Sequence, residues 1–147
     1  MNRSNHVLLV DDNEMDVELT MHAFRESKCS GTVHVARGGQ EALDYIFGNA
    51  PYEDRARHPM PSIVLLDLKM PGVDGFEVLR QMKQNDCVRR VPVVILTSSP
   101  DERDRAATYD IGANSYLVKP TSFEDLVAIV RKVEEYWLRL NAEPPLT

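Results

Sequence analysis

The sequence predicts an α/β domain in which a parallel β-sheet carries helices on both faces. Four short apolar runs, at residues 7–10, 63–66, 93–96 and 116–118, are rich in Val, Ile and Leu, which is typical of strands buried on both sides. Segments with helical spacing lie between them, so strand and helix alternate along the chain. This alternation favours right-handed crossovers between parallel strands. The length of 147 residues fits one domain of ordinary size.

A fifth and weaker strand is predicted at residues 33–36, where Val33 and Val35 alternate with polar residues. Helices are predicted by apolar stripes with a helical period. These stripes are Met15, Leu19 and Ala23; Leu43, Ile46 and Phe47; Val78, Leu79 and Met82; and Leu126, Ile129, Val130, Val133, Trp137 and Leu140. Ser122 and Asp125 form a candidate N-cap pair before the last stripe, whose helix we expect to reach the final leucine of that stripe.

Two segments lie outside this pattern. Residues 48–61 contain three prolines and no periodicity, which predicts an irregular loop. We interpret this loop as a tolerated surface insertion. The alternative is a binding loop, because loops this long are uncommon in compact domains and are often functional. Residues 141–147 are expected to form a frayed tail after a core of about residues 6–140. One domain then accounts for residues 1–147 and leaves no length for a second.

The composition excludes several classes of protein. Hydrophobic residues make up 43% and charged residues 27% of the chain, as in soluble globular proteins, and no apolar run approaches the roughly 20 residues that a membrane span needs. Residues 1–6 are too polar for a signal peptide. Cys29 and Cys87 are too few for a disulfide framework, which favours the reducing cytoplasm. The net charge of −6 disfavours direct binding to nucleic acid.

Polar side chains follow four of the five predicted strands. Asp11 and Asp12 come directly after the first apolar run, and Asp67, Thr97 and Lys119 follow three others. Ligands of open parallel sheets bind beyond the carboxyl ends of the strands. We therefore expect these side chains to form one site. Any one of them has a structural explanation, such as capping or simple exposure, but four together indicate a function.

The chemistry of this set favours phosphoryl acceptance with a bound cation. Three carboxylates in one pocket repel one another, so they need a cation to stay ionised together. An oxygen-only ligand set is typical of Mg²⁺. One carboxylate can then attack phosphorus and form an acyl phosphate, while Lys119 and the hydroxyl of Thr97 hold the phosphoryl oxygens.

The motifs around these residues resemble those of the receiver domain of two-component response regulators. The resemblance rests on the acidic pair Asp11–Asp12, on LLDLKMPGVDG around Asp67, on LTSS with Thr97 and on YLVKP with Lys119, and it covers about residues 7–140. It implies a flavodoxin-like, doubly wound, five-stranded parallel sheet with strand order 2-1-3-4-5.

The resemblance also implies individual roles. Asp67 is implied as the acceptor of a phosphoryl group from a histidine kinase. Side chains of Asp12 and Asp67 are implied to bind Mg²⁺, together with the backbone carbonyl of Lys69, while Asp11 acts through water. Lys119 is implied to contact the aspartyl phosphate.

A switch is implied at the same edge of the sheet. Thr97 is implied to contact the phosphoryl group and to move towards it, and Tyr116 to move into the space that Thr97 leaves. This repacks the surface of the fourth helix, fifth strand and fifth helix. The bond between Lys119 and Pro120 resembles the cis peptide of the family, which aims the lysine inward.

A narrower resemblance concerns the partner. The long loop before the Asp67 strand and the Glu-Glu-Tyr-Trp segment at residues 134–137 resemble single-domain response regulators that partner phytochromes. This implies a phytochrome kinase as partner and a homodimer through the fourth-helix, fifth-strand and fifth-helix face, to which the apolar residues Tyr136, Trp137 and Leu140 would contribute.

Two other functions stay open. An Asp-nucleophile phosphatase acting on free substrates usually has an Asp-x-Asp pair after the first strand, whereas Asp11 and Asp12 are adjacent. A pseudo-receiver that acts only as a binding module would be expected to lack one of the site residues. We therefore expect a phosphoacceptor rather than an enzyme for free substrates.

Overall fold

The computed structural model describes residues 5–29 and 31–146. Five parallel strands form one sheet in the order β2-β1-β3-β4-β5, which confirms the predicted flavodoxin-like topology. The strands are β1 (His6–Val10), β2 (Thr32–Ala36), β3 (Ile63–Leu66), β4 (Val93–Thr97) and β5 (Ser115–Val118). Each predicted apolar run lies within one of them, and β2 is an edge strand that is less buried than β1.

Five helices connect and follow the strands: α1 (Glu14–Glu26), α2 (Gly39–Phe47), α3 (Gly75–Gln84), α4 (Glu102–Ile111) and α5 (Phe123–Val133). Four of them contain the predicted apolar stripes. Helix α4 was not indicated by any stripe because it lies on the surface and buries only Thr108. Its start is nevertheless defined by Asp101, whose side chain accepts a hydrogen bond from the backbone N–H of Arg103, as an N-cap residue does.

The sheet separates two apolar layers. On β1, Leu8 and Val10 face the layer under α2 and α3, whereas Val7 and Leu9 face the layer under α1 and α5. This alternation follows from the two-residue period of a strand. Every side chain of β3 and β4 is buried, so the middle of the sheet is covered on both faces. No helix among the described residues is long and apolar enough to cross a bilayer.

The chain departs from its predicted course after α5. The α-helix passes into a π-helix at Glu134–Leu140, and the wider turn buries Leu138, which is 8% exposed, while Leu140 is 69% exposed. The expectation that the apolar stripe runs on to Leu140 was therefore wrong. Glu134 is buried and pairs with Arg139 five residues later, with 3.0 Å between Oε1 and Nε. An i, i+5 pair lies on one face of a π-helix, whose hydrogen bonds have that spacing.

Residues 141–146 lie along the amino ends of the strands. The hydroxyl of Ser62, just before β3, lies 2.6 Å from Oε1 of Glu143, and the guanidinium of Arg90 donates to the carbonyl of Pro145 at 3.0 Å. Leu146 packs against the α2–α3 layer. This differs from the frayed tail that we expected, because its polar and apolar groups find partners that are distant in sequence.

The loop at residues 48–61 also lies at the amino edge of the sheet. Arg55 donates from its guanidinium to the carbonyl oxygens of Tyr45 at 2.7 Å and Ile46 at 2.6 Å, which satisfies carbonyls at the end of α2. The Tyr45 hydroxyl donates in turn to the carbonyl of Pro59 at 2.9 Å. These bonds hold the loop against α2, at the opposite edge from the strand ends that carry Asp67.

Candidate functional site

Backbone hydrogen bonds between neighbouring strands bring the predicted site residues to one edge. The N–H of Asp11 donates to the carbonyl of Ala36, that of Asp67 to the carbonyl of Val10, and that of Lys119 to the carbonyl of Thr97, at 3.1, 3.0 and 2.7 Å. Each bond extends the parallel pairing just beyond a strand. The five predicted side chains at the strand ends are thereby gathered at the same edge: Asp11, Asp12, Asp67, Thr97 and Lys119.

An open pocket of about 500 Å³ lies above this edge. Its lining residues are Asp12, Asn13, Glu14, Asp16, Asp67, Lys69, Thr97 and Ser98. Two helices begin beside it, each with an N-cap: Asn13 accepts from the N–H of Asp16, and Asp74 accepts from the N–H of Glu77. Gly75 is needed at the start of α3, since a β-carbon there would lie 2.2 Å from the carbonyl oxygen of Asp67.

The ammonium of Lys119 contacts three carboxylates. Its Nζ lies 2.7 Å from Oδ2 of Asp11, 3.0 Å from Oδ2 of Asp16 and 3.3 Å from Oδ2 of Asp67. Burial by itself would lower the pKa of Lys119, but the hydrogen bonds and charges of these carboxylates outweigh it and raise that pKa above its usual range. The lysine is therefore a permanent positive charge in the pocket.

Asp11 is the most buried acid of the site. Burial raises the pKa of its carboxyl, and the charge of Asp67 acts in the same direction, while the hydrogen bond from Lys119 opposes both. Its Oδ1 also accepts from the N–H of Asn13 at 3.0 Å. Burial is the largest of these effects, so the raised pKa of Asp11 follows chiefly from the removal of its carboxyl group from water.

The donor set fits a hard divalent cation. Asp11, Asp12 and Asp67 each offer a carboxylate oxygen, and these oxygens lie within 4.8 Å of one another. Asp11, Asp16 and Asp67 share the ammonium of Lys119, and Asp12 lies in the same cluster of oxygens, so a cation would relieve the repulsion between these carboxylates. Oxygen-only ligands suit Mg²⁺ or Mn²⁺ better than softer metals.

A chain of contacts leads from the pocket to the fifth strand. Thr97 is fully buried, and its Oγ1 accepts from the N–H of Ser99 at 3.4 Å. The carbonyl of Ser99 accepts from the hydroxyl of Tyr116 at 2.9 Å. The two predicted switch residues are thus connected through Ser99, and the ring of Tyr116 is half-buried against the α2–α3 layer.

The side chain of Lys69 leaves the pocket towards α4. Its Nζ lies 3.1 Å from Oδ2 of Asp104, which also accepts from the hydroxyl of Ser99 at 2.7 Å. These two partners lower the pKa of Asp104, the Ser99 hydrogen bond more than the lysine. The participation of the Lys69 backbone carbonyl in metal binding stays a prediction.

Sequence reasoning missed two acids of the site and misjudged one bond. Asp16 and Asp104 lie inside helices and follow no strand, although Asp16 could have been found as the residue one helical turn after Asp12. The peptide bond between Lys119 and Pro120 is not cis, and the cis bond among the described residues joins Ala50 and Pro51. Lys119 reaches the carboxylates without a cis bond because its long side chain spans the distance.

The model of the response regulator receiver domain family matches residues 7–131. The chain belongs to this family. The match contains all four strand ends that carry the pocket, so the receiver interpretation of the motifs is confirmed.

Two relatives are similar to this receiver over nearly its whole length. It is 42% identical to the probable methanogenesis regulatory protein FilR2 of Methanothrix harundinacea, over 94% of this chain and 86% of that protein. It is 36% identical to the response regulator Rcp1 of Synechocystis, over 94% of this chain and 92% of Rcp1.

Solved structures of phytochrome-related regulators share the fold of this chain. The phosphorylated cyanobacterial phytochrome response regulator RcpA has a TM-score of 0.88 and 34% identity, over 97% of this chain and 99% of that one. A Mn²⁺-bound form of Rcp1 has a TM-score of 0.85 and 35% identity, over 96% and 99% of the two chains. A cation in a relative agrees with the acidic cluster described above.

The receiver should be stabilised by a divalent cation, and Asp12 should be needed for this. With Mg²⁺ at roughly 100 times its dissociation constant, mass action adds about 2.7 kcal/mol to the free energy of unfolding. Asp12→Asn should lose most of this gain, since it removes one of three charged ligands. Denaturant unfolding in chelator and in Mg²⁺ measures both. Glu18→Gln, an exposed acid on α1, should keep the full gain; an equal loss there would contradict the site.

Proposed function

We propose that this receiver accepts a phosphoryl group from a histidine kinase onto Asp67 in a Mg²⁺-dependent reaction in the cytoplasm. The observation that supports this most directly is the position of Asp67. Its carboxylate lies at the pocket, 3.3 Å from the ammonium of Lys119 and among the oxygens of a candidate cation site. We infer an acceptor and not an enzyme for free substrates, since the attacking carboxylate follows β3 and not β1.

The reaction is an in-line displacement at phosphorus. A carboxylate oxygen of Asp67 attacks the phosphorus of a phosphohistidine, the O–P bond forms as the N–P bond breaks, and the imidazole leaves with the electron pair and takes up a proton. Lys119 and Thr97 bind the phosphoryl oxygens as their charge develops. Asp12, Asp67 and the Lys69 carbonyl would hold Mg²⁺, with Asp11 acting through water, and the ion supplies charge neutralisation at the phosphoryl oxygens.

The signal then passes along the contacts that leave the pocket. A phosphoryl group adds about −1.5 to −2 charges, which draws the hydroxyl of Thr97 towards Asp67. Thr97 accepts from Ser99, and Ser99 accepts from the hydroxyl of Tyr116, so the movement releases Tyr116 towards the interior. The surface of α4, β5 and α5 repacks as a two-state element.

Replacement of the acceptor tests this function directly. Asp67→Asn should abolish the uptake of phosphate from labelled acetyl phosphate in Mg²⁺, because an amide oxygen is too weak a nucleophile. The label should be lost in hydroxylamine, which attacks the carbonyl carbon of an acyl phosphate, and mass spectrometry of the peptide should place it on Asp67. Glu18→Gln serves as the matched control for charge. Unchanged labelling of Asp67→Asn would refute the assignment.

The surface of α1 beside the pocket is suited to the kinase. Met15, Leu19 and Phe123 are exposed, Met15 at 71%, and they line a groove of about 800 Å³ that shares Glu14 with the phosphoryl pocket. We infer that an apolar helix face of the kinase packs here and so brings its phosphohistidine to Asp67. The likeness to phytochrome regulators supports a phytochrome as that kinase.

A charged residue introduced into this groove distinguishes docking of the kinase from the reaction at Asp67. Leu19→Glu should slow transfer from the cognate phosphorylated kinase by about tenfold or more, because it places a charge in an apolar contact. The same variant should accept phosphate from acetyl phosphate at the rate of the unaltered protein. An equal loss with both donors would show a damaged pocket, and no loss with either would reject this surface.

We further infer self-association through the face of α4, β5 and α5. Tyr109 on α4, Val118 on β5, and Tyr136 and Leu140 after α5 are exposed apolar residues from the elements around this face. Because the same face contains Tyr116, its affinity for a second copy should depend on phosphorylation.

Sedimentation velocity with and without beryllofluoride, a phosphoryl analogue, measures this association. The mass should shift from monomer towards dimer when the analogue and Mg²⁺ are present, and Leu140→Glu should weaken the dimer by about tenfold. Leu19→Glu makes the same kind of substitution on α1, outside the face of α4, β5 and α5, and should leave the shift unchanged as the matched control. A monomer under all conditions would refute the homodimer.

A further inference from the structure

The acid that the strand-end pattern does not account for is Asp16. It lies in the first turn of α1, where its N–H donates to the side chain of the N-cap residue Asn13 at 3.0 Å. The cap begins the helix directly after Asp11 and Asp12 and so fixes the direction of the Asp16 side chain. Its Oδ2 lies 3.0 Å from Nζ of Lys119, closer than that of Asp67, although Asp16 is outside the cluster of cation-binding oxygens.

The contact with Asp16 matters because Lys119 has only as many N–H donors as it has carboxylate partners. A lysine ammonium has three N–H donors and no acceptor, and its three partners here are Asp11, Asp16 and Asp67. With two donors held by Asp11 and Asp16, the third is directed at Asp67. Any phosphoryl oxygen on Asp67 then meets a donor that is already oriented, with no search over the rotamers of a long side chain.

The two carboxylates that hold Lys119 beside Asp67 differ in burial. The side chain of Asp11 is 3% exposed and that of Asp16 is 35% exposed. Asp11 holds the lysine from inside the fold, while Asp16 binds it nearer to solvent, where Asp16 and Lys119 line a second pocket together with Thr20 and Pro120. Without Asp16, the ammonium is free to turn towards that pocket and away from Asp67.

We propose that Asp16 is a positioning residue for phosphoryl transfer, which holds one N–H of Lys119 so that another points at the phosphoryl oxygens on Asp67. This deepens the proposed function and rests on it. Asp16 touches neither the phosphorus nor the cation and acts only through the lysine. Loss of the negative charge by itself would raise the rate of phosphoryl transfer, because a pocket with one carboxylate fewer would attract an anionic donor more strongly.

Three variants of the full chain test the proposal. With acetyl phosphate in saturating Mg²⁺, where the P–O bond breaks and acetate leaves, Asp16→Ala should label Asp67 about tenfold more slowly. Asp16→Asn should fall between, because its amide oxygen still accepts one N–H. Glu18→Gln carries the same change of charge on the same helix without touching Lys119 and should match the unaltered protein. A rate for Asp16→Ala that is equal or faster would overturn the proposal.

A measurement without metal or donor separates positioning from general damage. The NMR order parameter of the Lys119 side chain should fall in Asp16→Ala and stay unchanged in Glu18→Gln; an unchanged value in Asp16→Ala would also overturn the proposal. Calorimetry should give a Mg²⁺ affinity within about twofold of the unaltered protein, whereas a tenfold loss would make Asp16 a residue of the metal site. If the unaltered protein takes no label, the proposed function fails, and the order parameter still decides the role of Asp16.

Discussion

Uncompensated negative charge at the carboxyl edge of the sheet is the constraint on which the rest of the site depends. Parallel strands all end at that edge, and the residues that follow them include the carboxylates of Asp11, Asp12 and Asp67. Lys119 neutralises only part of this charge, and burial with the charge of Asp67 raises the pKa of Asp11. A site in this condition gains from binding a cation, because the positive charge offsets the repulsion between the carboxylates.

The same edge connects chemistry to the surface. Two residues that line the pocket are connected to elements nearer the surface: Thr97 to Tyr116 through Ser99, and Lys69 to α4 through Asp104. A change of charge in the pocket therefore alters hydrogen bonds on two elements at once. The loop at residues 48–61 and residues 141–146 lie at the opposite edge of the sheet. The two edges therefore differ, since one carries the pocket and the other carries these two segments.

Most of the fold could be predicted because its signals are local. Four strands are short apolar runs and β2 shows alternation, so all five were found, and the stripes of α1, α2, α3 and α5 follow from their contact with the sheet. Helix α4 was not indicated because it buries one threonine and has no stripe. The course of the chain after Val133 was misjudged: the α-helix changes there to a π-helix, in which buried Glu134 pairs with Arg139.

The sequence by itself determined the strand order expected from the family, the acids and the lysine at the strand ends, and the chemistry that such a set supports. These follow from residue type and from adjacency along the chain. Only the tertiary structure decided how the lysine is shared. That Lys119 also binds Asp16, 103 residues away, and that Ser99 connects Thr97 with Tyr116, are results of distances across the sheet, which no local pattern encodes. Charge and hydrogen bonding act through space, and the fold alone sets those distances.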